Sequence, residues 1–356
     1  MDRVTLFVPG RLCLFGEHSD WAATYRAMDP TLPPGACLIV GTNQGLEAEA
    51  ELHEMFEVRS RLPDASWCGP FAVPMRADAL RRAAEAGSFF SYAAGVAGFL
   101  HAQRRVGGIR LAVTRTTLPI GRGLSSSAAV CVLTARAFNR LYGLGLSLRD
   151  EMEAAYRGEL AAGSRCGRMD QACAYGSVPV RLDFDGDGMN LRELHPRAAI
   201  HLLIVDLQRG KDTRRILSDL NACYPATAGR IAANVRRALG PLNLDLVERA
   251  ATTLEAGDAA QLGALMTEAQ RKFDELVASA CTELVAPRLH ELLALPAVRA
   301  LALGGKGVGS QGDGCAQLVV TDVDRRQRLA EMLQRDLGVS CLPLTIAATG
   351  TASQRA

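Results

Sequence analysis

Residues 118–129 concentrate glycines and hydroxyl groups in the sequence LPIGRGLSSSAA. Glycine allows a backbone to approach an anion closely and to take a positive φ. The apolar spacing of residues 128–142 predicts a helix directly afterwards, whose N-terminus would direct unpaired N–H groups and a positive dipole end towards an anion. The sequence therefore predicts a phosphate-binding turn, although an ordinary helix capped by a serine side chain fits the same residues. The members of such a turn would be Gly121, Gly123, Leu124, Ser125, Ser126 and Ser127.

Four charged or ionisable side chains surround an apolar, strand-like stretch near the N-terminus. Residues 8–20 read VPGRLCLFGEHSD and supply Arg11, Glu17, His18 and Asp20. Carboxylates accept hydrogen bonds from neighbouring hydroxyl groups, so two of them directed at one pocket would suit a polyhydroxylated ring. Considered alone, an arginine such as Arg11 is more often a surface residue.

Two more carboxylates lie in the middle of the chain. Glu159 falls on a predicted helix over residues 148–160, and Asp170 follows a predicted loop, in the sequence CGRMDQ. Carboxylate oxygens are ligands for Mg²⁺ and can also accept a proton from a reacting hydroxyl. By itself, Glu159 fits a solvated helix position better than a metal ligand.

The stretches at residues 8–20 and 118–129, together with a third at residues 304–314 (GGKGVGSQGDG), resemble in order and spacing the motifs of the GHMP kinase superfamily. This superfamily is named for galactokinase, homoserine kinase, mevalonate kinase and phosphomevalonate kinase. The resemblance covers nearly the whole chain and implies an α+β, two-domain fold. The N-terminal domain, over residues 1–196, would be similar to the second domain of ribosomal protein S5, and the C-terminal domain, over 197–356, would be ferredoxin-like. The site would lie between them.

The resemblance also implies ATP and Mg²⁺ as cofactors and a role for each matched residue. Asp170 would accept the proton of the acceptor hydroxyl, with Arg11 as its charged neighbour. Ser127 or Ser126 would bind Mg²⁺ together with Glu159. The third stretch departs from the usual family pattern and places an acid, Asp313, among its glycines. The residues of this stretch that would contact ATP are Gly307, Gly309 and Gly312.

The substrate is implied by the acids of the first motif. Galactokinases carry both acids that match Glu17 and Asp20, with His18 between them here, whereas mevalonate kinases usually lack the second. The resemblance thus favours phosphorylation of a monosaccharide at its anomeric hydroxyl. Galactokinases commonly continue with tyrosine, asparagine and glycines, but here residues 21–23 are Trp-Ala-Ala, so the sugar is left open. Arg168 beside the base could indicate an acidic sugar or could be structural.

Two alternatives remain at this point. The first is a mevalonate kinase-like enzyme that acts on an acyclic hydroxy acid. The second is a protein of the same fold that senses a sugar and ATP without catalysis, against which the complete set of Glu159, Asp170 and the serines argues.

Composition limits the other classes of function. The chain has 356 residues, 48% of them apolar and 22% charged, which suits a globular protein of two domains. A net charge of +2 gives no argument for a nucleic-acid or membrane partner, so we expect a small-molecule sugar as partner and a monomer or homodimer. Ten cysteines without a C-x-x-C pair, no leader peptide and no membrane-spanning run predict a cytoplasmic protein with reduced thiols.

Periodicity predicts a mixture of strands and helices around these motifs. The predicted loop over residues 60–75 is rich in proline and turn formers. Residues 183–188 begin like a Ca²⁺-binding loop but lack the final glutamate, which favours a hairpin turn. Residues 307–312 fit the dinucleotide pattern G-x-G-x-x-G, but a strand-like segment follows where a helix is needed. The predicted strands cover 4–15, 36–40, 45–52, 109–117, 178–184, 200–207, 300–303, 316–321 and 342–347; the predicted helices cover 89–105, 128–142, 148–160, 228–239, 243–255, 258–275, 283–293 and 324–336.

Overall fold

The computed structural model describes residues 3–62, 64–119, 122–164, 166–225 and 228–350. Within these ranges the strands form one sheet of seven and one of four. The seven strands of the first sheet are β1 Val4–Phe15, β2 Gly35–His53, β3 Met55–Arg61, β4 Trp67–Pro74, β5 Gly108–Thr116, β6 Val180–Asp185 and β7 Gly188–Glu193.

The long strand β2 organises the first sheet. It pairs antiparallel with β1 over most of its length, and with β6 and β5 at its two ends. The sheet extends beyond β5 to β3 and β4, with β3 and β5 parallel. A register shift between Pro9 and Arg11 marks the irregular point at which β1 passes the glycine- and serine-rich turn.

The second sheet contains β8 Ile200–Asp206, β9 Ala302–Gly307, β10 Cys315–Val320 and β11 Ser340–Ile346. Its strand order is β11-β8-β10-β9, and all of its pairs are antiparallel. With helices between β8 and β9 and between β10 and β11, this is the ferredoxin-like arrangement that was predicted.

The helices pack on both sheets. They are α1 Ser19–Thr24, α2 Ala77–Glu85, α3 Ser91–Arg104, α4 Ser126–Tyr142, α5 Leu148–Ala161, α6 Thr213–Cys223, α7 Arg230–Arg237, α8 Asn243–Ala256, α9 Ala259–Leu276, α10 Pro287–Ala294, α11 Pro296–Leu301 and α12 Val323–Leu337. Helix α4 lies on β1 and β2 between α3 and α5, and α9 contacts β9. Because α4 is lined with alanine and other small or apolar side chains, its inner face is fully buried.

One hydrophobic core joins the two sheets. Leucines of β1, apolar residues of α4, and Ile200, Leu202 and Ile204 of β8 belong to the same buried cluster. Side-chain amides connect the two sheets as well, since Gln317 donates to the carbonyl of Cys13 at 2.8 Å. The chain passes from the first sheet to the second between Glu193 and Ile200. We retain 1–196 and 197–356 as the proposed division into domains.

The prediction of a loop over residues 60–75 is wrong, because β3 and β4 form an antiparallel pair there. The two strands predicted at 36–40 and 45–52 are one continuous strand, and helix α2 was not predicted. The hairpin turn is confirmed, since Asp185 pairs with Gly188, and β10 follows residues 307–312 as expected. All ten cysteines are free thiols. Within the described ranges, no helix combines the length and apolar character needed to cross a membrane.

Candidate functional site

Three of the predicted segments meet where β1 passes the N-terminus of α4. The backbone N–H of Arg11 donates to the carbonyl of Leu124 at 3.0 Å, which fixes the serine-rich turn to β1. From the second sheet, the turn after β9 reaches the same point, because a Cβ built on Gly309 would lie 3.0 Å from the carbonyl oxygen of Gly123. Gly121 lies outside the described residues.

The N-terminus of α4 is not capped by a side chain. Ser125 precedes the helix with φ 55°, in the left-handed region, and its hydroxyl does not accept a hydrogen bond from the first turn. The interpretation of this stretch as a serine-capped helix is therefore wrong. A helix of 17 residues presents its positive end here, and the hydroxyls of Ser126 and Ser127 stand in its first turn. Such an end can bind an anion such as a phosphate group.

Arg11 and Asp170 form an ion pair across the floor of the site, and Asp170 begins the 3-10 helix Asp170–Tyr175. The Arg11 side chain is 5% exposed and that of Asp170 is 27% exposed, so the carboxylate is the open member of the pair. Burial is the largest single effect and disfavours the charged guanidinium, but the charge and hydrogen bond of Asp170, together with Cys13 and Asp20, outweigh it and raise the pKa of Arg11. Arg11 also donates to the carbonyl of Gly123 at 3.3 Å, which links the pair to the turn at α4.

Asp20 lies beside this pair with one oxygen free. Its Oδ2 accepts a hydrogen bond from the backbone N–H of Met169 at 3.3 Å, whereas its buried Oδ1 has no donor among the described residues. Burial, followed by the neighbouring charge of Asp170, raises the pKa of Asp20 to about 6. A Cβ on Gly167 would lie 1.9 Å from Asp20 Oδ2, so only glycine allows the loop to hold this carboxylate. The free oxygen can accept a hydrogen bond from a ligand hydroxyl.

Glu17 and His18 have protein partners. The Glu17 carboxylate forms an ion pair with Lys306 of β9, and both side chains are almost fully buried, at 7% and 1% exposure. His18 accepts a hydrogen bond at Nδ1 from Trp21 at 3.0 Å, and its Nε2 lies 3.1 Å from the carbonyl of Ser310. Because Nδ1 is an acceptor, Nε2 donates to this carbonyl and the ring is neutral. Burial lowers the pKa of His18 to about 4.

His18 therefore ties α1 to the turn after β9, with a protein partner at each ring nitrogen. Direct binding of substrate by His18 stays a prediction, which requires one of these hydrogen bonds to be replaced. Its neighbours Glu17 and Asp20 differ, since Glu17 joins the two sheets, whereas Asp20 keeps a buried oxygen without a hydrogen-bond donor among the described residues.

Glu159 lies deep in the site, near the C-terminal end of α5. Its carboxylate accepts hydrogen bonds from Ser127, Gln171 and Cys166, and no lysine or arginine among the described residues pairs with it. Burial and then the charge of Asp170 raise the pKa of Glu159 to about 7. A buried carboxylate that contacts a serine hydroxyl and lacks a cationic partner fits a magnesium ligand.

In the described part of the chain, no cluster of three or more histidine, cysteine, aspartate or glutamate side chains could hold a metal ion. A cation at Glu159 would therefore need hydroxyl, water or phosphate oxygens to complete its shell. Mg²⁺ is commonly bound in this way, with one or two carboxylates and substrate phosphates.

The third glycine-rich stretch enters the site only in part. Gly309 touches the serine-rich turn, whereas the N–H of Gly307 donates to Gln270 at 2.8 Å and Gly312 is buried against the carbonyl of Glu283. Asp313 points away from the site, because its carboxylate accepts a hydrogen bond from the N–H of Leu289 and pairs with Arg209.

Sequence reasoning missed two lysines at this junction. Lys306 pairs with Glu17, and Lys211, which follows β8, donates to the carbonyl of Val308 at 2.8 Å. The one sequence signal for them is rarity, since the chain has only three lysines. Arg168, which could have indicated an acidic sugar, pairs with Glu153 at 2.7 Å and stacks on Tyr156, so its role is structural.

Comparisons with known proteins point to one family. A family model described as the GHMP kinases N terminal domain matches residues 91–177. The galactokinase of Thermotoga maritima is 30% identical over 168 residues, which are 47% of this chain and 41% of that protein. The galactokinase of Streptomyces coelicolor is 28% identical over 350 residues, with 88% of this chain and 83% of that protein covered.

Solved structures show the same fold at low identity. The crystal structure of Lactococcus lactis galactokinase complexed with galactose has a TM-score of 0.72 at 17% identity, with 97% of this chain and 93% of that chain covered. The mevalonate kinase of Methanococcus jannaschii has a TM-score of 0.70 at 16% identity, with 96% and 98% covered. These likenesses confirm the predicted α+β fold, with its S5-like N-terminal and ferredoxin-like C-terminal parts.

Proposed function

We propose that this chain, which belongs to the GHMP kinase superfamily and resembles its galactokinase branch, transfers the γ-phosphate of ATP to a hydroxyl of a monosaccharide. The anomeric hydroxyl is the proposed acceptor. The observation that carries the proposal is the position of Asp20, whose unpaired Oδ1 lies beside the open Asp170–Arg11 pair. A polyhydroxylated ring would supply the missing donor and bring a second hydroxyl to Asp170.

The reaction requires positioning and charge neutralisation more than covalent chemistry. Asp170 would orient the acceptor hydroxyl and take its proton as the oxygen–phosphorus bond forms and the bond to ADP breaks. Arg11 forms an ion pair with Asp170 and would offset negative charge on the transferred group. In a loose transition state, the proton of the acceptor hydroxyl would be transferred to Asp170 late, when the hydroxyl has become acidic.

The nucleotide phosphates would lie at the uncapped N-terminus of α4. Backbone N–H groups of the serine-rich turn and the hydroxyls of Ser126 and Ser127 would donate to phosphate oxygens. Ser127 and Glu159 are the residues that would hold Mg²⁺. When bound, this cation would neutralise charge on the phosphate oxygens.

The stability of the protein without ligand is expected to fall as the pH rises through the pKa of Glu159. Burial raises this pKa from 4.5 to about 7, so the folded state binds more protons than the unfolded state between these values. The contribution of Glu159 to the free energy of unfolding is fully present below about pH 4.5. It is lost by about pH 7, which lowers the free energy of unfolding by on the order of 3 kcal/mol. Asp20, whose pKa is also raised, acts in the same direction.

The measurement is the unfolding temperature of the wild type and of Glu159→Gln at pH 5 and pH 8, with and without ATP and Mg²⁺. In Glu159→Gln, the unfolding temperature should fall less between pH 5 and pH 8 than in the wild type. ATP with Mg²⁺ should raise the unfolding temperature of the wild type more at pH 8 than at pH 5. The exposed Glu275→Gln serves as the control. Equal pH dependence in wild type and Glu159→Gln would contradict the prediction.

Asp20→Asn is expected to raise the KM for the accepted sugar about 10-fold, since a hydrogen bond to a charged group contributes about 1.5–3 kcal/mol. In the wild type, the affinity for the sugar should increase as the pH rises through about 6, because ionised Asp20 can accept from ligand hydroxyls at Oδ1. The variant should lack this pH dependence. Steady-state kinetics from pH 5 to pH 8 test both, with the exposed Asp187→Asn as control; a KM unchanged in Asp20→Asn would exclude contact between Asp20 and the sugar.

The acceptor itself is tested by a panel of hexoses, pentoses, uronic acids and mevalonate, incubated with ATP and Mg²⁺ and assayed for ADP release. We expect rapid release with one monosaccharide, and a product that gains one phosphate and loses its reducing end. Release with mevalonate alone would identify a mevalonate kinase-like enzyme. Binding of sugar and ATP without product would identify a sensing protein instead.

A further inference from the structure

Lys211 lies where the serine-rich turn meets the turn after β9. Its Nζ donates to the carbonyl of Val308 at 2.8 Å, and a Cβ built on Gly123 would lie 3.1 Å from the same nitrogen. A Cβ on Gly314 would lie 3.3 Å from Lys211 Cε. The ammonium group is thus held against the backbone of the turn that leads into α4.

No carboxylate of the described residues neutralises this ammonium group. Lys306 pairs with Glu17 and Lys272 with Glu268, but no carboxylate among the described residues lies within 4.0 Å of Lys211. Burial lowers the pKa of Lys211 to about 8. An ammonium has three N–H donors, and Val308 accepts from one of them.

The charged groups around Lys211 leave the region short of negative charge. Arg11 and Lys306 are its cationic neighbours, Glu17 is the acidic one, and the Cys315 thiol lies nearby. Asp170 and Glu17 are already paired with Arg11 and Lys306. The remaining positive charge lies next to the N-terminus of α4, and both favour an anion at the same place.

A structural role alone explains Lys211 poorly. Joining two turns requires one donor to one carbonyl, which a neutral side chain would supply without the cost of burying a charge. The free-energy cost of burying an unpaired cation is lower when a ligand supplies the opposite charge.

We propose that Lys211 binds the terminal phosphates of the nucleotide, together with the N-terminus of α4. This inference rests on the proposed kinase function and adds to it a residue that no motif indicated. A point charge on a flexible stem can follow the phosphate from the nucleotide towards the acceptor, so its loss affects both nucleotide binding and transfer.

The test compares Lys211→Met and Lys211→Arg with the wild type by titration calorimetry with ATP and with AMP, in the presence of Mg²⁺. Lys211→Met should weaken ATP binding about 10-fold or more, as expected for a charge-assisted hydrogen bond, and leave AMP binding unchanged. Lys211→Arg should restore most of the affinity for ATP. Lys272→Met, which breaks the ion pair with Glu268 on the same helix, is the matched control.

The failure of this inference can be separated from the failure of the proposed function. A wild type that binds neither ATP nor AMP would overturn both, whereas a Lys211→Met variant that binds ATP as tightly as the wild type would overturn only the inference. Equal weakening for ATP and AMP would show a structural role and would also overturn it.

If Lys211→Met does not fold, acetylation of the wild type replaces it. Acetic anhydride reacts with neutral amines, and mass spectrometry can follow Lys211, Lys272 and Lys306 separately. ATP should slow the acetylation of Lys211 while AMP does not, with Lys272 as internal reference. Acetylation of Lys211 at the same rate with and without ATP would contradict the inference.

Discussion

Replacement of Asp170 by asparagine is expected to lower kcat about 1,000-fold, within the range that a positioned general base contributes. Asparagine keeps the size of the side chain and an oxygen that can accept from Arg11, but it cannot take the proton of the acceptor. Affinity for ATP should change little, because the phosphates would lie at the N-terminus of α4. The measurements are steady-state ADP release and calorimetric titration with ATP.

Asp187→Asn, in the exposed hairpin between β6 and β7, is the control and should keep full activity. An unfolding temperature close to that of the wild type would show that Asp170→Asn is folded. Unchanged turnover in a folded Asp170→Asn would remove Asp170 as the base and, with it, the assignment of this pocket as the place of transfer.

Replacement of Lys306 by methionine is expected to lower the free energy of unfolding by about 3–5 kcal/mol, because it leaves the buried Glu17 carboxylate without its counter-charge. The Glu17–Lys306 pair joins the end of β1 to β9, so the variant should weaken the packing between the two sheets. The measurement is the midpoint of unfolding in guanidinium chloride, followed by fluorescence and by circular dichroism.

The double variant Glu17→Gln/Lys306→Met should recover much of this loss, because no buried charge remains unpaired. Arg271→Met, which breaks the exposed pair with Glu275, should change stability by less than about 0.5 kcal/mol and serves as the control. A Lys306→Met variant as stable as the wild type would show that Glu17 is neutralised in another way, for example by taking up a proton.

Local sequence patterns could predict those elements whose ends are set by neighbouring residues in the chain. Helix α5 follows a capping box formed by Ser147 and Asp150, and α4 ends at a glycine in the left-handed region, so sequence alone could locate both. The convergence of Arg11 and Asp170 was implied by the resemblance, and the structure brings them into contact.

The features that sequence reasoning missed have a different physical cause, since they depend on contacts with distant parts of the chain. Residues 67–74 contain two prolines and were predicted as a loop, yet β4 lies at the edge of its sheet, where a missing N–H costs little. The role of His18 depends on the carbonyl of Ser310, a residue 292 positions away, and the role of Glu17 depends on Lys306. No periodicity or local motif encodes such partners, because they are chosen by the packing of one sheet against the other.

The most direct test of this account is a crystal structure of the protein with Mg²⁺, a non-hydrolysable ATP analogue and the accepted monosaccharide. We expect the terminal phosphate at the N-terminus of α4, a sugar hydroxyl within hydrogen-bond distance of Asp170, and another at Asp20 Oδ1. A nucleotide bound away from α4, or a sugar that contacts neither aspartate, would contradict the account.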